Sequence, residues 1–385
     1  MTETAILQKS SQRLLSLDVF RGITVAGMIL VNNPGDWGNI YPPLKHAAWH
    51  GCTPTDLIFP FFLFIVGVSI AYALGTKKEF ITDHSRILKT ALKRALILFG
   101  LGLFLSVYPS IFTEPLESLK TVRIPGVLQR IAVVFFISAL IFIKTSARTQ
   151  LGILIGLLLF YWLIMTFVPV PGVGYANLEK ETNLSAWLDR TILTEPHLWK
   201  SAKTWDPEGI LSTIPAIATG LFGVLAGSYL RRKDKEASVK ISWLFSIGTL
   251  AVIAGLIWDL FFPINKALWT SSYVLYTGGL ATIGLSMLYW LIDQKGYKGW
   301  TTPFVAYGVN AITVFFLSGL IPRTLNLIRL NLNGEEVGTQ KWIYQTYFAS
   351  NLSPLNASLA YALVYVFLWF IILWIMYRKN IIIKV

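Results

Sequence analysis

Apolar runs of about twenty residues recur along the whole 385-residue sequence, and short polar clusters separate them. A helix of about twenty apolar residues crosses the roughly 30 Å hydrocarbon core of a bilayer. Only 14% of the residues are charged, whereas soluble proteins carry about 25%. The pattern therefore predicts an all-α, polytopic integral membrane protein.

Ten membrane spans are predicted from these runs and from the polar residues that end them. They cover residues 17–33, 56–74, 88–107, 124–143, 150–168, 209–230, 241–261, 271–292, 301–321 and 356–377. The first run is expected to be a membrane helix and not a removable signal peptide, because it contains no small-residue cleavage site. Two small-residue pairs, Gly152/Gly156 and Gly223/Gly227, are predicted to let helices approach closely.

Basic residues give the expected orientation of the bundle. With the N-terminus inside, cytoplasmic segments hold 21 of the 33 lysines and arginines and outer segments hold 11. The positive-inside rule then places both termini in the cytoplasm. This distribution explains the net charge of +13, so no nucleic-acid partner is expected. The long outer loops 34–55, 169–208 and 322–355 are expected to cap a single transmembrane domain that covers residues 1–385.

Polar residues within or beside the spans are candidates for function, because a charge at a span centre costs about 2.5–3.5 kcal/mol. Asp18 and Arg21 share a helix face. They form an ion pair at the membrane boundary, or Arg21 holds a phosphate of a ligand that enters from the cytoplasm. Arg130 has no acidic residue within one turn, which leaves two readings: it binds an anionic ligand, or it belongs to a buried structural pair.

Two of the four histidines, His46 and His50, lie just before the second span. An imidazole ordinarily titrates near pH 6.5 and is a natural proton carrier. The four-residue spacing would suit a metal on a helix, but no third ligand is near, so no metal is predicted. Beside Asn32, Trp49 and Asp56, a general base is favoured over a packing role. The Asn32 amide could hold the nucleophile or stabilise an oxyanion.

Collinear motifs then indicate a family. They are LDVFRG at 17–22, VN at 31–32, KHAAWHG at 45–51, DLIFP at 56–60, GVLQR at 126–130, DPEGIL at 206–211, GVLAG at 223–227 and NKALWTSSY at 265–273. Over residues 13–320, the chain resembles the heparan-α-glucosaminide N-acetyltransferase family and its bacterial relatives. A set of motifs in this order is far more specific than any single one. The single cysteine, Cys52, excludes an internal disulfide and a cysteine-based metal cluster.

The resemblance implies a transmembrane acetyltransferase. Such an enzyme takes acetyl from cytoplasmic acetyl-CoA, its co-substrate, and passes it to an amino sugar or oligosaccharide across the membrane. His46 matches the catalytic histidine of the family and Asn32 matches an active-site asparagine. The family usually has Asn at the position of His50, which leaves the role of His50 and the identity of the acceptor open. The chain lacks the N-terminal luminal part of the animal enzyme and is expected in a bacterial inner membrane.

The expected site therefore has three groups of residues. The catalytic residues are His46 and Asn32; the substrate-binding residues are Asp56, Trp49, His50, Glu208, Trp269 and Asn310; the acetyl-CoA-binding residues are Asp18, Arg21, Gln129 and Arg130. Transfer could pass through an acetyl-histidine or occur directly in a ternary complex, and direct transfer is favoured. A homodimer stays open.

Two other functions remain as alternatives. A transporter for a sugar or an anionic metabolite could use the same intramembrane polar residues, but the first five spans show no convincing inverted repeat in the second five. An O-acetyltransferase of a surface polysaccharide would differ only in the atom that accepts the acetyl group.

Overall fold

The computed structural model describes residues 14–81 and 83–383, and α-helices dominate it. In chain order the helices are α1 (Leu15–Asn32), α2 (Ile58–Phe80), α3 (His84–Val107), α4 (Pro115–Lys120), α5 (Val127–Lys144), α6 (Ala147–Phe167), α7 (Leu184–Leu193), α8 (Thr213–Leu230), α9 (Ala237–Asp259), α10 (Ser271–Leu288), α11 (Thr302–Val309), α12 (Ala311–Leu325), α13 (Thr339–Ile343) and α14 (Pro354–Arg378). The strands β1 (Arg329–Leu332) and β2 (Glu335–Gly338) form an antiparallel hairpin.

The prediction of a polytopic helical membrane protein is confirmed. Within the described residues, nine helices are long and apolar enough to cross a membrane: α1, α2 with the 3-10 turn that precedes it, α3, α5, α6, α8, α9, α10 with its π-helical end, and α14. A further pair, α11 and α12, passes the same test together but bends by 79°. The hairpin in the last outer loop was not predicted.

The bent pair extends from the start of α1 to its end. Near the break between α11 and α12, a Cβ on Gly308 would overlap the Asp18 carbonyl in the first turn of α1. Beyond the end of α12, Asn326 lines the same cavity as Asn33, which directly follows α1. We therefore count the pair as one broken span. This makes ten spans and leaves the start of α1 and the end of α14 on the same side.

Asn310 separates the two halves of this span, which the sequence predicted as one continuous helix over 301–321. Its backbone (φ −112°, ψ 33°) is not helical. Its side chain is buried and bonds the chain beyond α14: Nδ2 donates to the Ile381 carbonyl at 3.1 Å, and Oδ1 accepts from the Ile383 amide at 2.9 Å. Asn310 thus fastens the C-terminal segment to the break. It is not among the described residues that line the outer cavity, and its predicted role in substrate binding stays a prediction.

Glycines decide how closely the helices approach one another. A Cβ on Gly223 would overlap the Phe64 carbonyl, and one on Gly227 would press against Val68, so this pair lets α8 pack directly on α2 as predicted. Gly152 and Gly156 have open space where a Cβ would point. The predicted close contact at that second pair is therefore wrong, because this face of α6 meets no other helix.

Candidate functional site

The outer start of α2 is built by a capping box. Thr53 caps the 3-10 turn Pro54–Leu57, Pro54 occupies its first position, and Asp56 lies at the third position of the turn. Such a box satisfies the free amides at a helix start and fixes the side chains that form it. The Asp56 carboxylate is therefore held in one place, although it lies at the end of an irregular loop.

His46 pairs with this fixed carboxylate. Its Nδ1 lies 2.6 Å from Asp56 Oδ1. Asp56 is 1% exposed, whereas the imidazole is 49% exposed. Oδ2 also accepts from the amides of Ala47 and Thr53, both at 3.0 Å. An ionised carboxylate only accepts hydrogen bonds, so Nδ1 carries the proton and the basic lone pair is on Nε2. Asp56, predicted to bind substrate, instead orients His46.

An aromatic layer lies beneath the hydrogen-bonded pair of His46 and Asp56, the His46–Asp56 dyad. The Tyr273 hydroxyl donates to the Asp56 carbonyl, and its ring packs edge-on against Trp269 with centroids 5.4 Å apart. Trp269 is fully buried, and its indole N–H donates to Thr219 Oγ1 at 3.0 Å. Trp269 therefore supports the dyad from inside the core. Its predicted role in substrate binding stays a prediction.

A large cavity opens at the outer end of α1. Its volume is about 1080 Å³, enough for a ligand of the size of a small oligosaccharide or a cofactor. Asn32, Asn33, Asp36, Trp37, Leu105, Arg123, Trp199, Phe315, Arg323, Asn326, Arg329, Lys341, Tyr344 and Tyr361 are among its lining residues. The lining extends from Pro322 down α12 to Phe315, about two helical turns towards the membrane interior. Asn32 is thus exposed to the cavity, as an active-site residue must be.

His46 is not among the described residues that line this cavity. The loop that joins the two parts of the site is pinned to α14: the amide of Gly35 donates to the Ser358 carbonyl at 3.2 Å, and the Tyr41 hydroxyl donates to Asn356 Oδ1 at 2.6 Å. Asn32 and His46 thus lie at opposite ends of one anchored loop.

Cations outnumber acids among the residues that line the cavity. Arg123, Arg323, Arg329 and Lys341 line it, with Asp36 as the acidic residue. In the sequence, these cations indicated only the orientation of the bundle. Arg123 precedes α5, and the others lie in α12, β1 and α13, so no local motif indicates that they meet.

Glu208 holds one of these cations in place. Arg123 donates to Asp206 through Nε and Nη2 at 2.8 and 2.6 Å, and to Glu208 through Nη2 at 2.6 Å. Both acids are buried, while Arg123 remains partly exposed. Glu208, predicted to contact substrate directly, instead fixes the arginine that lines the cavity.

Arg130 bonds the turn that precedes α8. It is 2% exposed and donates to the carbonyls of Pro207 and Gly209 at 3.0 and 3.1 Å, and to the Ser212 hydroxyl. Its guanidinium also lies 5.1 Å from the Trp269 ring. Arg130 therefore closes the turn before α8, while its Nε is buried without a partner among the described residues. Its predicted contact with acetyl-CoA stays a prediction.

Gln129 and the Asp18–Arg21 pair complete the set predicted to bind acetyl-CoA. Gln129 is buried beside Gly102 and Gly126, and its predicted contact with acetyl-CoA stays a prediction. Arg21 donates to Asp18 at 3.1 Å, to Ser69 Oγ at 2.8 Å and to the Gly308 carbonyl at 3.2 Å. The predicted ion pair is therefore present, and Arg21 fastens α1 to α2 and to the broken span; its predicted contact with a phosphate stays a prediction.

Trp49 and His50 connect the histidine loop to its neighbours. The Trp49 indole donates to the Leu178 carbonyl at 2.8 Å and packs against Trp205. His50 Nδ1 lies 3.4 Å from Asn265 Nδ2, and burial lowers the pKa of His50. These contacts dock the outer loops together, and neither side chain lines the cavity. Among the described residues, no three possible ligands gather as a metal site.

Comparison with known proteins adds to this geometry. A family model described as "Heparan-alpha-glucosaminide N-acetyltransferase, catalytic" matches residues 13–253. The human heparan-alpha-glucosaminide N-acetyltransferase is 32% identical over 422 aligned residues, which cover 97% of this chain and 60% of the human protein. The mouse protein of that name is 30% identical and covers 98% of this chain and 61% of its own length. The chain thus spans about three fifths of these relatives.

Proposed function

Because the chain belongs to the heparan-alpha-glucosaminide N-acetyltransferase catalytic family, we propose that it transfers acetyl from acetyl-CoA to the amine of a glucosamine-type sugar. The observation that carries this proposal is the hydrogen bond between His46 and the buried Asp56. A half-exposed imidazole held by a fixed carboxylate is suited to accept a proton at Nε2.

Each group has a defined task in the proposed reaction. Nε2 of His46 takes a proton from the amine as its nitrogen attacks the thioester carbonyl. Asp56 stabilises the imidazolium that forms, and the Asn32 amide donates to the oxyanion of the tetrahedral intermediate. The carbon–sulfur bond then breaks, and the imidazolium returns the proton to the departing CoA thiolate. The products are the N-acetyl sugar and CoA, and the enzyme is unchanged.

The acceptor sugar is proposed to bind in the cavity that Asn32 faces and to enter it from the side on which α1 ends. Because His46 does not line this cavity, the proposed reaction requires that the sugar amine extend along the loop 33–45 to reach Nε2 of His46. The acetyl group comes from the cytoplasmic side, where the positive-inside rule places both termini. We favour direct transfer in a ternary complex over an acetyl-histidine, because a thioester needs only a neutral amine, a base and an oxyanion donor.

The test replaces the two members of the dyad. With labelled acetyl-CoA and glucosamine, His46→Ala is expected to lower kcat by about 10²–10⁴-fold, the usual contribution of a general base. Asp56→Asn is expected to lower kcat as well, because an amide no longer fixes the Nδ1–H tautomer. His84→Ala is the matched control, since His84 lies in the first turn of α3 at the opposite membrane face; its kcat should equal that of wild type.

Two outcomes would overturn the proposal. One is wild-type kcat in His46→Ala at saturating acetyl-CoA and sugar. The other is movement of unmodified sugar across the membrane with no acetylation, which would favour the transporter. Added imidazole should restore part of the activity of His46→Ala, and this restoration separates lost base catalysis from lost folding.

A further inference from the structure

The cytoplasmic half of α3 presents a row of cations outside the bundle. Arg86, Lys89 and Lys93 follow one another at helical spacing, and their side chains are exposed. The opposite face of the helix is buried, at Ile87, Ala91 and Ala95. The cations therefore point away from α5, on which α3 packs, and towards the surrounding membrane.

Two adjoining grooves lie along this face. The first, of about 560 Å³, is lined by Asp83, Ser85, Arg86, Lys89, Thr90 and Lys93. The second, of about 420 Å³, is lined by Lys89, Leu92, Lys93, Leu96 and Ile97. Lys89 and Lys93 belong to both. One continuous site therefore changes from polar to apolar along the helix, with two lysines at the boundary.

The charge of the polar groove is positive. Asp83, its acidic residue, accepts from the Ser85 amide at 2.9 Å and so caps the start of α3. Beyond the lysines, Leu92, Leu96 and Ile97 are all more than one third exposed. Residues 86–97 extend for about 16 Å along the helix, which is long enough for a polar head followed by the first part of an acyl chain.

We propose that this face of α3 binds an anionic phospholipid. Its phosphate lies between Lys89 and Lys93, and its acyl chains follow Leu92, Leu96 and Ile97 into the bilayer. The polar groove is followed along the helix by an apolar groove. This order favours a lipid over a soluble anion, because a free phosphate has no apolar part that could fill the second groove. Lysine side chains reach to phosphates at a membrane boundary in this way.

The experiment uses the full chain in a neutral detergent with added phosphatidylglycerol or phosphatidylcholine. Native mass spectrometry counts retained lipid, and the thermal midpoint reports stabilisation by binding. In wild type, phosphatidylglycerol should be retained and should raise the midpoint more than phosphatidylcholine does. In Lys89→Gln/Lys93→Gln, the affinity for phosphatidylglycerol should fall about 30-fold, as expected for the loss of two lysines at a lipid surface.

The control is Lys233→Gln/Lys235→Gln, which removes the same charge from the exposed loop between α8 and α9; it should bind phosphatidylglycerol like wild type. The thermal midpoint in phosphatidylcholine shows whether Lys89→Gln/Lys93→Gln is folded. Unchanged phosphatidylglycerol retention in that folded variant would overturn the proposal. So would equal stabilisation by phosphatidylcholine, or by glycerol phosphate, which has the head but no acyl chains.

Discussion

Three N–H donors converge on the Asp56 carboxylate, from His46, Ala47 and Thr53. A carboxylate with this many partners cannot turn, and it therefore fixes the imidazole ring as well. Burial also raises the pKa of the neighbouring Cys52 thiol to about 12. The thiol is thus uncharged at pH 7, and His46, whose half-exposed ring is fixed by Asp56, is better placed than Cys52 to accept a proton.

Asp189 gives a prediction for the pH dependence of stability. Burial, and to a smaller extent the negative charge of Asp206, raise the pKa of Asp189 from 3.8 to about 7. The Ile210 amide, Arg130 and Arg190 act in the opposite direction. Between pH 3.8 and about pH 7, the Asp189 carboxyl is ionised in the unfolded chain and protonated in the folded chain. The free energy of unfolding should therefore fall as the pH rises from about 4 to about 7.

Asp189→Asn is expected to remove this dependence, since an amide does not titrate. From pH 5 to pH 8, wild type should lose about 2–3 kcal/mol more stability than the variant. Thermal midpoints measured at both pH values check this. A parallel decrease in the two proteins would show that Asp189 is already ionised in the folded state.

At the scale of the helices, the pairing of α2 with α8 depends on glycine. Gly223→Ala would bring a methyl group onto the Phe64 carbonyl, and overpacking of this kind costs about 1–3 kcal/mol. The thermal midpoint of Gly223→Ala should therefore be several degrees lower than that of wild type. Gly156→Ala is the control, because its methyl group points into open space. Equal midpoints for the two variants would mean that α2 and α8 are not in contact there.

The sequence predicted most helices because hydropathy depends on local composition. The predicted spans agree with the helices to within a few residues, as 124–143 does with Val127–Lys144. The break at Asn310 could not be predicted, because the backbone groups that its side chain bonds belong to residues about seventy positions away. The hairpin 329–338 was missed because its strands are only four residues long.

At the site, the family motif marked His46 and Asn32, and their catalytic roles stay predictions. The contacts of Arg130 could not be predicted, because a buried arginine can be satisfied by backbone carbonyls that no sequence pattern marks. The cationic cavity lining was missed, since Arg123, Arg323 and Lys341 come from three distant segments.

At the scale of the whole molecule, the proposed reaction has a direction. Ten spans within the described residues leave the start of α1 and the end of α14 on one side, opposite the His46–Asp56 dyad and the cavity. In the proposed reaction, the acetyl donor and the sugar approach from opposite faces of the membrane. This separation distinguishes the proposed enzyme from one that takes both substrates from the same compartment.

Inverted membrane vesicles, whose cytoplasmic face points outward, test this claim most directly. They are loaded with glucosamine and receive labelled acetyl-CoA outside. Labelled N-acetylglucosamine should form inside vesicles that contain wild type or His84→Ala, and none should form with His46→Ala. Product that appears only outside the vesicles, or equally with His46→Ala, would contradict transfer across the membrane through this histidine.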